Sequence, residues 1–234
     1  MTPFIAELIG TAILITLGLS VVANVVLDGT KGNNSGLIVI GFGWAIAVFV
    51  GVFISADISG AHLNPAVTIA LAVAGKFSWN DVPQYIVAQF LGAFVGSILT
   101  WLVYKDHFNA TKQAESILAV FSTGPAIRNN FSNLLTETIA SFVFVMAIFF
   151  IQKGEVKLGS LDALPVALLV LGIGLSMGGP TGYAINPARD LGPRIMHAIL
   201  PISNKGSSDW KYALIPVAGP ILGAVLAAFV FKAL

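Results

Sequence analysis

The chain has 234 residues, 56% of them hydrophobic and only 10% charged, with a mean hydropathy of +0.89, far from the balance of a soluble domain. Twelve Lys and Arg against eleven Asp and Glu give a net charge of +1, and the cations form no run, which excludes a footprint for nucleic acid. The lack of cysteine excludes disulfides, thiolate metal sites and cysteine nucleophiles.

A bilayer core about 30 Å thick takes roughly 20 apolar residues in a helix. The first such run, 4–27, lacks a basic n-region and exceeds a signal-peptide core, so it reads as a retained first span. Further runs at 36–56, 83–104, 132–152, 162–179 and 211–233 bring the predicted spans to six. Polar connectors lie at 28–35, 105–130, 152–160 and 203–211. Two more apolar segments, 60–75 and 182–200, are too short to span.

Those two segments repeat one another. GAHLNPAVTIA at 60–70 and GYAINPARDLG at 182–192 share Asn-Pro-Ala at Asn64 and Asn186. The openings AELIGTAILI and TETIASFVFV carry Glu7 and Glu137 at matching places. Each copy, about 1–104 and 131–234, runs span, span, short segment, span. An odd number of spans inserts the second copy upside down, so residues 1–234 are expected to form one transmembrane domain built as an inverted repeat.

Proline disfavours the α region for the residue before it and suits the first helical position, so Asn64 and Asn186 should be extended and Pro65 and Pro187 should start helices. About ten residues make about 15 Å of helix, so two such half-helices cross one hydrocarbon core with their partly positive N-termini meeting at the midplane. The lead-in residues Gly60, Ala61, His62 and Leu63, and Gly182, Tyr183, Ala184 and Ile185, then run as non-helical backbone at membrane depth. Such backbone is tolerated only where it lines a cavity or is buried in protein. Their carbonyls are expected to form acceptor ladders on either side of the Asn64 and Asn186 amides, a path for small neutral hydroxylic solutes that opposes protons and cations.

Paired Asn-Pro-Ala boxes on inverted repeats, with the AELIGT and TETIA openings, resemble the aquaporin and glycerol facilitator family over essentially the whole chain. The resemblance implies an all-α membrane protein of six transmembrane helices plus two half-helices, a passive channel rather than an enzyme, and a homotetramer with one pore per subunit. One branch of the family passes water alone and the other passes water plus glycerol and similar polyols. Asp190, Arg194 and the Pro216, Val217 pair are similar to the glycerol branch. By the same match the narrowest point consists of Trp44, Gly174, Tyr183 and Arg189. Gly174 would leave room, Trp44 and Tyr183 would wall the carbon backbone of a polyol, and Arg189 would donate to adjacent hydroxyls. Tyr183 stands where glycerol channels more often carry phenylalanine, so its hydroxyl bears on the relative passage of water, glycerol, urea, larger polyols and neutral lactic acid. The alternative is a water-selective aquaporin, told apart by whether glycerol permeates.

Individual residues have plainer readings too. Arg189 could pair with a carbonyl to hold the half-helix, but beside the second box it reads as pore-lining. Asp190 in the first turn suits the helix dipole and is expected to pair within the protein, near the pore without touching solute. Glu7 and Glu137 are either interfacial carboxylates or, as repeat equivalents, acceptors for the exposed backbone before each box; the second reading is preferred. His62 is expected to serve through its carbonyl rather than as a pH gate. Trp44 reads as filter rather than interfacial aromatic, and Gly92 and Gly96 as close helix packing.

Neither His62, His107 and His197 nor the carboxylates show the spacing of a catalytic or metal cluster, and the centre offers asparagines where an ion-coupled transporter needs a titratable group. No cofactor or metal is expected; the partners are lipid and small neutral solutes. Lys76, Lys153, Lys157 and Lys232 fall on the N-terminal side, against Lys31, Lys105, Lys112, Arg128, Lys205 and Lys211 on the other, so charge does not set the orientation. Cytoplasmic termini follow from the resemblance, and the length and short termini suggest a bacterial inner membrane.

Overall fold

A computed structural model describes residues 1–151 and 161–234. In chain order its helices are α1 (Pro3–Val26), α2 (Leu37–Ser59), α3 (Pro65–Val73), α4 (Val82–Val103), α5 (Lys105–Ala110), α6 (Ala114–Phe121), α7 (Asn130–Ile151), α8 (Leu164–Thr181), α9 (Pro187–Ile199) and α10 (Ile215–Ala233). Of these, α1, α2, α4, α7, α8 and α10 are long and apolar enough to cross a membrane, while α3 and α9 are the half-helices. Pro3, Pro65, Pro83, Pro165, Pro187 and Pro216 each occupy one of the first two positions of a helix, where the missing N–H costs no bond.

Three differences from the expected boundaries have local causes. α2 continues to Ser59 and stops only where Gly60 turns left-handed, at φ 82°. The final span starts at Ile215 rather than 211, because 210–214 are a turn and Pro216 sets the helical start. The stretch 105–130, expected as a connector, contains α5 and α6. Both are far too short to span, yet they hold Phe108, Ile117, Val120 and Phe121 fully buried, with the two phenylalanine rings stacked at 5.5 Å. The connector 152–160, with Lys153 and Lys157, lies outside the described residues.

The two halves use the same close contacts. In the first, α1 packs on α2 and α4; in the second, α7 packs on α8 and α10. A Cβ on Gly92 would stand 2.4 Å from the Leu8 carbonyl oxygen, and one on Gly96 2.6 Å from that of Ala12, so α4 rides against the α1 backbone. In the second half a Cβ on Gly219 would meet Glu137 Cβ at 2.6 Å, and one on Gly223 the Thr138 oxygen at 2.1 Å. Small residues four apart permit such approaches, which supply packing where lipid offers no hydrophobic drive between helices. Each half-helix leans mainly on the last span of the other half, α3 on α10 and α9 on α4. Large apolar side chains such as Phe42, Phe53, Leu168 and Phe229 face outward, whereas Glu7, Gln89, Glu137, Asp190 and Arg194 are fully buried. That inversion of the soluble pattern follows from a surface solvated by lipid.

Candidate functional site

The pathway is built from backbone held in unusual conformations. Ala61 and Leu63 before the first box, and Tyr183 and Ile185 before the second, have φ between 42° and 50°. Each such non-glycine residue costs of order 1–3 kcal/mol and persists only where its surroundings hold it. The two predicted carboxylates do so. Glu7 Oε1 accepts from His62 N at 2.9 Å and Ser59 Oγ at 2.7 Å, and Oε2 accepts from Leu63 N and Gln89 Nε2, both at 2.8 Å. Glu137 Oε1 accepts from Thr181 Oγ1 at 2.6 Å and Ala184 N at 3.0 Å, and Oε2 from Ile185 N at 3.0 Å. With these amides turned into the protein, the lead-in segments face a cavity of about 350 Å³ lined by Gly60, Ala61, His62 and Leu63 from one side and Tyr183, Ala184 and Ile185 from the other. Gly182, expected beside them, is not among the lining residues.

The asparagines are fixed at both ends. Asn64 Oδ1 accepts from Ala66 N at 2.9 Å, and Asn186 Oδ1 from Ala188 N and Arg189 N at 3.0 and 3.2 Å, as N-caps of α3 and α9. Their nitrogens are thereby turned toward the opposite half of the chain: Asn64 Nδ2 donates to the Ile185 carbonyl at 2.8 Å and Asn186 Nδ2 to the Leu63 carbonyl at 2.9 Å. One hydrogen of each amide is used to tie the two halves, leaving one for a solute. The tie uses one lone pair of the Leu63 carbonyl and one of the Ile185 carbonyl, leaving each a second acceptor site.

Trp44, Tyr183 and Arg189 meet on the cavity wall. The guanidinium carbon of Arg189 lies 4.2 Å from the centroid of the Trp44 ring, within cation–π range. Arg189 Nη1 and Tyr183 Oη are buried without a protein hydrogen-bond partner. Gly174 acts differently from expectation. It does not line the cavity, and a Cβ on it would stand 2.9 Å from Tyr183 Cζ, so the room it provides is filled by the tyrosine ring rather than left to solute.

Asp190 is fully buried and absent from the lining. Its Oδ1 accepts from Arg194 Nε at 2.9 Å, and its Oδ2 from Arg194 Nη2 at 3.2 Å and from Thr123 N and Oγ1 at 2.7 Å. Arg194 reaches on to the carbonyls of Thr123 and Ser208, at 2.8 Å each. This buried cluster pins the loop after α6 and the chain after α9 to the half-helix that carries Arg189. The His62 ring rests between Phe77 and Tyr85, with Nδ1 3.1 Å from Thr68 Oγ1.

Several supporting residues escaped the sequence reading. Ser59 and Thr181 had a signal, since each is the hydroxyl residue just before the glycine that opens its lead-in. Gln89 had none, because its repeat counterpart beside Glu137 carries no amide among the donors.

The family model described as Major intrinsic protein matches residues 1–231. A glycerol uptake facilitator protein of Streptococcus pneumoniae (strain ATCC BAA-255 / R6) is 56% identical over 232 residues, covering 99% of both chains. A probable glycerol uptake facilitator protein of Thermotoga maritima is 53% identical, again over 99% of both. Among solved structures, the X-ray structure of the aquaglyceroporin from Plasmodium falciparum superposes with a TM-score of 0.86 at 31% identity, covering 98% of this chain and 94% of that one.

Proposed function

The chain belongs to the major intrinsic protein family, and from that membership we propose that it is a passive channel for glycerol and other small uncharged solutes. It is a multi-pass membrane protein and a conduit, not an enzyme. The solute class rests on the Trp44 indole and the Arg189 guanidinium, stacked at 4.2 Å on residues that line the cavity, together with Arg189 Nη1 and Tyr183 Oη, which lie just beneath that wall without a protein partner. A buried polar group without a partner costs about 1–3 kcal/mol. A polyol supplies partners through its hydroxyls while its carbon backbone lies on Trp44, a combination that water does not use. The printed names of the relatives, glycerol uptake facilitators, agree. Water, small polyols, urea and undissociated lactic acid fit the same chemistry. The N-termini of α3 and α9 oppose protons and cations at the centre.

On this reading Trp44, Tyr183 and Arg189 form the selectivity filter, with Gly174 behind the tyrosine. Asn64 and Asn186 are central donors, and the carbonyls of Gly60, Ala61, His62, Leu63, Tyr183 and Ala184 are way stations, with Gly182 set back from the lining. Residues 1–234 are one channel domain of two inverted repeats, about 1–104 and 131–234, assembled as a homotetramer with both termini cytoplasmic in a bacterial inner membrane. Proteoliposomes in an outward-facing glycerol gradient test the assignment. Glycerol flux should rise well above that of protein-free vesicles along with water flux; water flux alone would make the chain a water-selective channel. Replacing Arg189 or Trp44 should move the glycerol-to-water ratio, and unchanged ratios in both would remove this ring as the filter.

A further inference from the structure

Both aromatic walls of the constriction lean on glycines that do not themselves line the cavity. A Cβ on Gly18 of α1 would stand 2.2 Å from Cζ3 of Trp44 and 2.5 Å from its Cε3 and Cη2. A Cβ on Gly178 of α8 would stand 2.6 Å from Cδ1 and 3.0 Å from Cε1 of Tyr183. Carbon atoms in contact settle at about 3.5–4.0 Å, so one methyl group at either place must displace its ring by roughly an ångström. The helices have little freedom to yield instead, because protein interiors are close-packed and pass strain on rather than absorb it. The Tyr183 backbone is held as well, with φ 42° and the next two amides bound to Glu137. What can move is the ring, and both rings also line the cavity; the Arg189 guanidinium lies against that of Trp44.

We propose that Gly18 and Gly178 are positioning residues that set the width of the constriction from behind, by receiving the rings of Trp44 and Tyr183. Gly18 and Trp44 sit on different helices, so α1 fixes the pore through a wall that α2 carries. Gly178 and Gly174 are one turn apart on α8 and form a single shelf under the tyrosine. The effect is selective for solute size. Water needs less width than a three-carbon polyol, so a ring pushed inward blocks the larger solute first. This proposal rests on reading Trp44, Tyr183 and Arg189 as the filter.

The test measures water and glycerol permeability on the same vesicles, so that their ratio is independent of how much protein is incorporated. Gly18→Ala and Gly178→Ala should each lower the glycerol-to-water ratio about tenfold, a size-dependent narrowing of the pore. Combining Gly18→Ala with Trp44→Phe gives the displaced ring space again, and there the added alanine should change the ratio less than about twofold, as expected for coupled neighbours. If Gly18→Ala alone does not assemble, Gly178→Ala, with the smaller overlap, carries the measurement. Proportional loss of both permeabilities, an unchanged ratio, or an equal effect of Gly18→Ala with and without Trp44→Phe would overturn the proposal. Trp44→Phe by itself separates the two levels. If it leaves the ratio unchanged, the filter reading fails and takes this one with it; if it moves the ratio while the glycine variants do not, only the positioning role fails.

Discussion

Replacing Arg194 by methionine keeps the length of the side chain and removes its charge and all its donors. In the native protein Arg194 and Asp190 are both fully excluded from solvent and joined through Nε at 2.9 Å, and the guanidinium also satisfies the Thr123 and Ser208 carbonyls. The variant leaves a buried carboxylate with only the two donors of Thr123, and two buried carbonyls without their guanidinium partner. Removing one member of a buried ion pair costs about 3–5 kcal/mol, because the other charge stays buried and uncompensated. At about 2–4 °C per kcal/mol for a chain of this size, the melting temperature of the detergent-solubilised protein should fall by roughly 6–20 °C. Asp190→Ala should cost less, since Arg194 keeps its carbonyl acceptors. The double variant removes both charges, so its loss should fall short of the sum of the singles by about 0.5–3 kcal/mol. A melting temperature within about 2 °C of the parent for Arg194→Met, or strict additivity in the double variant, would refute the view that this pair clamps the loop after α6 and the chain after α9 onto α9.

Tyr183→Phe removes a buried hydroxyl that has no protein partner, so the folded protein should be no less stable. Glycerol permeability should fall about two- to tenfold, the equivalent of one hydrogen bond of about 0.5–1.5 kcal/mol, with a smaller change for water, as read by stopped-flow light scattering. An unaltered glycerol-to-water ratio would mean that the hydroxyl does not meet the solute. Glu137→Gln puts an amide N–H₂ where the carboxylate now accepts from Ala184 N, Ile185 N and Thr181. Because this loosens the backbone that holds Tyr183, both fluxes should drop and the glycerol-to-water ratio should shift with them. Fluxes and ratio equal to those of the parent would show that Glu137 does not hold the lead-in segment.

The six spans and both half-helices were legible because their signals are local. A run of about 20 apolar residues and an Asn-Pro step act through hydropathy and backbone sterics, which need no knowledge of the neighbours. The equivalence of Glu7 and Glu137 was legible through repetition. α5 and α6 were not, since helices of six and eight residues gain their stability from burying Phe108, Ile117 and Phe121 against the rest of the protein.

By itself, then, the amino-acid order determined that this is a membrane protein of two related halves, each with an Asn-Pro-Ala box that starts a half-helix, with Arg189 one turn from Asn186 and Asp190 turned toward protein. Only the tertiary structure decided where the polar capacity goes. It joined each asparagine to the opposite lead-in segment, engaged the Leu63 carbonyl, filled the space at Gly174 with the Tyr183 ring and seated Trp44 on Gly18. Those contacts join residues up to 123 positions apart. Whether a carbonyl is free or a glycine leaves a gap depends on what another helix brings to it, and no local rule of composition or spacing carries that information.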